Sequence, residues 1–189
     1  MKKAYLAMTL GVALVGTANA DSKVAYKTEV KEQVGADGTI KKSSAEETVD
    51  AAGTKVKSNL DEKSTVKDDG TRKTSSVLSS TTDPKGLGNK TTATREMNTT
   101  EDGRGSFDRK TESNSLDSAG TANSKTVERS VVQKSDGTAT STFKEKAVSD
   151  PKGLMNKTTQ ETKRTVTTDA QGNVIGDKLD KSIDAKPVK

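Results

Sequence analysis

The chain contains no cysteine, no tryptophan and no histidine, and only three prolines, two phenylalanines and two tyrosines among its 189 residues. Each absence removes a class of explanation. Without cysteine there is no disulfide staple and no thiolate to act as nucleophile or metal ligand. Without histidine the side chain that most often serves as a general base near neutral pH is gone, and so is the imidazole ligand. Hydrophobic residues make up 28% of the chain and aromatic ones 2%. That leaves little apolar surface to offset the ordering of a backbone at about 1–2 kcal/mol per residue. By composition alone the chain sits close to a disordered polymer.

The one long apolar run lies at the start. Lys2 and Lys3 precede an apolar stretch from Tyr5 to Val15, and Ala18-Asn19-Ala20 follows it. This is the layout of a bacterial secretory leader with a small-x-small cleavage motif at Ala18 and Ala20, giving a mature chain from Asp21. The run is shorter than the roughly 20 residues of a membrane span. No cysteine follows the motif, so lipid attachment is excluded. Removing 20 of 189 residues leaves 169, and the loss of Lys2 and Lys3 reduces the net charge from +5 to +3. Lysines alternate with acidic residues throughout, which argues for solubility and against a nucleic-acid partner.

Glycine supplies the organising signal. Gly38, Gly53, Gly70, Gly86, Gly103, Gly120, Gly137 and Gly153 recur at intervals of 15 to 17 residues, and Gly172 follows. The segments between them are rich in Thr, Ser, Val and Lys, as strands bounded by turns would be. Two turn patterns alternate. Asp37-Gly38, Asp69-Gly70, Asp102-Gly103 and Asp136-Gly137 are Asp-Gly pairs, read as tight type I′ hairpin turns. Asp50, Asp83, Asp117 and Asp150 stand three residues ahead of Gly53, Gly86, Gly120 and Gly153, with Pro84 and Pro151 at the second position. Those four read as type I turns ending in a left-handed glycine. Alternating turn types suit a meander, whose successive turns lie at opposite ends of a sheet.

The hairpins are themselves repeated. Residues 83–92 (DPKGLGNKTT) and 150–159 (DPKGLMNKTT) differ at one position. Beyond the leader (1–20), the hairpin-repeat region 21–189 divides into copy one at 23–89, copy two at 90–156 and a partial copy at 157–189. Val24, Tyr26, Val30 and Val34 alternate with polar residues, as do Val56, Leu60 and Val66, so one face is semi-apolar. The prediction is an all-β chain. It is an antiparallel meander of about ten long strands built from tandem hairpin repeats, single-layer or barrel-like, with a largely disordered chain as the alternative. The missing apolar outer band and aromatic girdles argue against an outer-membrane barrel.

Catalytic candidates are few. Ser64–Lys67 and Ser141–Lys144 have Ser-x-x-Lys spacing but fall in predicted strands without companion motifs. The carboxylates at Asp68, Asp69, Glu101 and Asp102 lack the alternating spacing of a calcium loop and read as turn chemistry. Asn89, Asn98 and Asn156 head Asn-x-Thr triplets, which carry no weight in a bacterial export route. No enzyme activity, cofactor or metal is expected. The functional expectation is an exported, non-catalytic structural or interaction repeat protein of the bacterial envelope or extracellular matrix. Its expected partners are other copies of itself, through edge strands at Lys23–Val34 and Asn173–Ile183, or envelope polysaccharide. It would reside in the periplasm or at the cell surface, not spanning the membrane after leader removal. A periplasmic ligand-binding β protein, with Tyr26, Phe107 and Phe143 converging on one pocket, and a disordered hydrated spacer or stress protein are the alternatives.

Overall fold

The computed structural model describes residues 14–17, 25–86, 88–152 and 157–185. They form one antiparallel sheet in which every strand lies beside its neighbours in sequence. A short strand, β1 (Leu14–Thr17), precedes ten long ones: β2 (Ala25–Val34), β3 (Ile40–Val49), β4 (Lys55–Val66), β5 (Arg72–Asp83), β6 (Thr91–Glu101), β7 (Phe107–Leu116), β8 (Ala122–Gln133), β9 (Ala139–Asp150), β10 (Thr158–Thr168) and β11 (Val174–Ala185). There is no helix among the described residues. The sheet is an open single layer and not a barrel, since β11 pairs with β10 alone and β1 with β2 alone; β2, expected as an edge strand, is instead covered by β1 over Ala25–Thr28. The chain is a folded meander and not a largely disordered polymer.

No hydrophobic side chain is buried among the described residues, and only Thr39 and Thr99 fall in the buried class. The accessible surface is 13798 Å². A compact protein of this mass would expose roughly 8,700 Å². What holds the sheet is therefore the ladder of backbone hydrogen bonds, reinforced by cross-strand pairs at about 0.2–1 kcal/mol each. At about 4.8 Å per strand the ten long strands span roughly 45 Å.

The unit is a group of four strands. β3, β7 and β11 begin at residues 40, 107 and 174, each 67 apart. The starts of β4 and β8, of β5 and β9, and of β6 and β10 keep the same separation. Residues 23–89 hold β2 to β5, residues 90–156 hold β6 to β9, and β10 and β11 follow.

The turns correct the sequence reading. Type I′ would place Asp37, Asp69 and Asp136 at positive φ, and no described non-glycine residue has one. Asp50–Gly53 and Asp117–Gly120 make the type I turn with a left-handed glycine read for them, and the loops at Gly38, Gly70 and Gly137 take that same three-residue form instead of type I′. Gly35, Asp50, Lys67, Asp117, Lys134 and Asp169 each donate an N–H to the carbonyl four residues on, at 2.7–3.1 Å. Gly38, Gly53, Gly70, Gly120, Gly137 and Gly172 return an N–H to the first carbonyl at 3.0–3.1 Å. These glycines have φ between 76° and 87°. The result is a type I turn closed by a left-handed glycine, which spares the aspartates a conformation costing about 1–2 kcal/mol.

Asp102-Gly103 departs further. Asp102 occupies the first loop position, Ser106 closes the loop, and Gly103 and Gly105 take φ of 70° and 97°. Asp83-Pro84-Lys85-Gly86 does not form the short loop either. Gly86 lies at φ 137°, and the chain runs on through Gly88 before β6 begins at Thr91. The equivalent residue Gly153 and the residues Ala18 and Ala20 of the expected cleavage motif lie outside the described residues, while Asp150 ends β9 and Pro151 follows it.

A single position isolates the value of the left-handed glycine. No atom lies within 4 Å of a Cβ placed on Gly70, so Gly70→Ala introduces strain without a clash. It should destabilise the sheet by about 1–2 kcal/mol in urea melts, with Gly70→Asn milder because Asn tolerates this conformation. At Gly137 the added Cβ would also sit 2.8 Å from Ala170 Cβ, so Gly137→Ala should cost more. An alanine variant at Gly70 as stable as the parent would refute the turn geometry.

Candidate interaction face

Register assigns the faces, because cross-strand partners share a face and successive residues alternate. Val34, Ile40, Ser64, Thr74, Thr99, Arg109, Arg129, Phe143, Arg164 and Leu179 are successive partners and form one row across β2 to β11. Rows on either side of it carry Val30, Leu60 and Leu78, then Met97 and Val127, then Val66, Phe107, Val131 and Val166. This is the semi-apolar face that alternation in β2 and β4 predicts, continued across the whole sheet.

The two faces also divide the basic residues. All five strand arginines, Arg72, Arg95, Arg109, Arg129 and Arg164, share the semi-apolar face. Most strand lysines take the other face, with Lys42, Lys125 and Lys181 as exceptions. There several of them pair with acidic residues: Lys57 with Glu47 at 3.2 Å, Lys144 with Glu128 at 3.3 Å and Lys146 with Glu161 at 2.7 Å. Such exposed pairs contribute at most about 1 kcal/mol each. The lysine face is a solvated, charge-balanced surface.

On the arginine face the partners differ. Arg164 is held in a two-pronged ion pair by Asp177, at 3.0 and 2.6 Å. Arg109 donates from Nε to Oγ1 of Thr99 at 3.2 Å. Arg129 lies 5.4 Å from the centroid of the Phe143 ring, a cation–π contact. Arg109 and Arg129 are direct cross-strand partners. A trough of about 480 Å³ lies mainly on the same face, lined by Leu78, Ala93, Arg95, Ser113, Lys125 and Ala147 among others.

The three aromatic residues do not converge on one pocket, since Tyr26 stands far from the two phenylalanines. Phe107 is on β7, Phe143 on β9 and Tyr26 on β2, and seven strand positions at about 4.8 Å separate the outer two. Ser141 and Lys144 fall on opposite faces of β9, and Lys144 is engaged by Glu128. Ser64 shares a hydrogen bond with Thr74 at 3.3 Å, and Lys67 lies beyond the end of β4. No cluster of metal-ligating side chains occurs among the described residues.

The turn aspartates have a common electrostatic state. Asp50, Asp117, Asp169 and Asp102, at the first loop position, accept the N–H of the fifth residue at 2.8–3.0 Å. Asp37, Asp69 and Asp136, at the third position, accept that same N–H at 2.8–3.0 Å. Two side-chain placements thus satisfy one donor. Hydrogen bonds from Thr39, Thr54, Thr71, Arg104 and Thr121 hold Asp37, Asp50, Asp69, Asp102 and Asp117 below the ordinary carboxylate range. The Thr138 hydroxyl does this first for Asp136 and the Asn173 amide for Asp169. Asp169 was not singled out from the sequence, although the Asp169–Gly172 spacing was there to find it.

No protein family, curated protein or solved structure matches the chain.

Proposed function

We propose that the chain is an exported structural or interaction protein of the bacterial envelope or extracellular matrix, acting by presenting an extended surface and by assembling with copies of itself. The observation that supports this is the open single-layer sheet. β11 is paired on one side only and exposed along its length, with Val174, Ile175, Leu179 and Ile183 54–72% exposed. A free strand edge carries unpaired backbone donors and acceptors that another strand can complete. Lys178, Asp180 and Lys181 on that strand disfavour mismatched pairing, so growth would be selective. A non-catalytic role agrees with the absence of histidine and cysteine. Sedimentation velocity and electron microscopy over rising concentration test the assembly. Elongated species that grow with concentration are expected. A strictly monomeric chain throughout would remove self-assembly from the reading and leave only surface binding.

A further inference from the structure

The arginine pair at the centre of the semi-apolar face is engaged by no carboxylate among the described residues. Arg109 and Arg129 stand directly opposite one another on β7 and β8, an arrangement that like charges disfavour. Neither takes part in any ion pair among the described residues. Glu145, diagonal to Arg129, is held by Lys125 at 3.0 Å. Glu101, diagonal to Arg109, makes no ion pair with it. Solubility does not explain the pair, since lysines paired with carboxylates serve that purpose on the other face. Arginine adds two properties that lysine lacks, a planar fork that takes carboxylate or sulfate through two hydrogen bonds and a flat surface that stacks.

The surroundings narrow the ligand. Phe143 lies beside Arg129 in the same row, and Phe107 and Val131 occupy the adjacent row. Rings and branched aliphatic groups suit the apolar face of a sugar ring. The site is flat and continues across neighbouring strands at about 4.8 Å intervals, which fits an extended chain better than an enclosed small molecule. We infer that Arg109, Arg129 and Phe143 form a binding site for an acidic polysaccharide lying across the strands, its carboxylate or sulfate groups on the two guanidinium forks and a sugar ring against the phenyl ring. The partner class rests on the interaction reading above, and the placement on this face is a separate claim.

The test is binding of heparin and polygalacturonate oligosaccharides to the full chain by calorimetry at low and moderate salt. The doubly substituted Arg109→Gln/Arg129→Gln chain should bind at least about tenfold more weakly, the loss of roughly 1.4 kcal/mol. Lys144→Gln/Lys146→Gln on the opposite face should bind within about threefold of the parent. Phe143→Leu keeps both charges and should weaken oligosaccharide binding while leaving competition by inorganic sulfate unchanged. Circular dichroism melts confirm that each variant is folded, and sulfate competition on the parent chain provides a readout that needs no variant. Equal losses from the two faces would overturn the site while leaving the interaction reading standing. Absence of binding, or equal affinity for duplex DNA or anionic lipid vesicles, would overturn the acidic-polysaccharide assignment.

Discussion

Excising residues 84–150 should leave a folded, cooperatively melting protein. The cut joins Asp83 to Pro151, the same junction that Asp150 makes in the parent chain. Register carries over, because Thr82 pairs with Thr91 as Ser149 pairs with Thr158, one 67-residue unit later. β5 would then pair with β10 as β9 does now, and six long strands would remain. In a meander each strand touches only its neighbours, so stability is close to a sum over adjacent pairs. The urea m-value should fall to roughly six-tenths of the parent's, in proportion to the surface exposed on unfolding.

Deleting Thr126 alone should do far more damage. Thr126 lies in the middle of β8, and a one-residue slip moves each following side chain to the opposite face. Val127, Arg129 and Val131 would enter the lysine face, while Glu128 and Ser130 would enter the apolar one. Escape by shortening the preceding loop would dismantle the hydrogen bonds of Asp117 and Gly120. The expected result is a lower melting temperature than that of the excised chain, or insoluble expression. A single deletion that melts like the parent, beside an excised chain that does not fold, would reverse the account of what the repeat unit is.

Acid should unfold this sheet. Seven turn carboxylates, at Asp37, Asp50, Asp69, Asp102, Asp117, Asp136 and Asp169, have folded pKa values below their ordinary range. A depressed carboxylate contributes stability that is present above its unfolded pKa, about 3.9, and lost as pH falls through the folded value. The melting temperature should therefore hold near neutrality and decline as pH drops below about 4. Protonation also removes the acidic partners of the lysine face and adds net positive charge, in the same direction. Asp50→Asn, Asp117→Asn and Asp169→Asn together should flatten the decline, because an amide oxygen still accepts the loop N–H and does not titrate in this range. Melts at stepped pH check this, and an unchanged acid slope in the triple variant would assign the effect to the lysine face instead.

The glycine spacing made the meander legible because a left-handed turn position leaves few other choices. Alternation in β2 and β4 was visible for the same kind of reason, with Val30 and Val34, and Val56, Leu60 and Val66, falling on one parity of each strand. The central strands hid their polarity. In β7 the apolar face continues as Arg109, Thr111 and Ser113, which no hydropathy pattern marks. Whether Arg109, Arg129 and Arg164 share a face depends on the residue count of every loop between them, and that count requires the register. The turn types were misread because Asp-Gly is compatible with two loop lengths. The choice falls on the one that lets Asp37 take the N–H of Thr39 without a left-handed backbone of its own. β1 was not anticipated because its residues belong to the apolar run read as a leader.

The strictly sequential order of the strands has a mechanical consequence. β2 and β11 lie on opposite sides of the sheet, so tension between them acts across the strands, along the hydrogen bonds. Bonds loaded in that direction open one after another, like a zipper, and do not resist together as they would under shear. A stretched molecule would yield hairpin by hairpin at low force. Each four-strand unit would lengthen from about 19 Å across the sheet to roughly 230 Å of extended chain, then fold back when released.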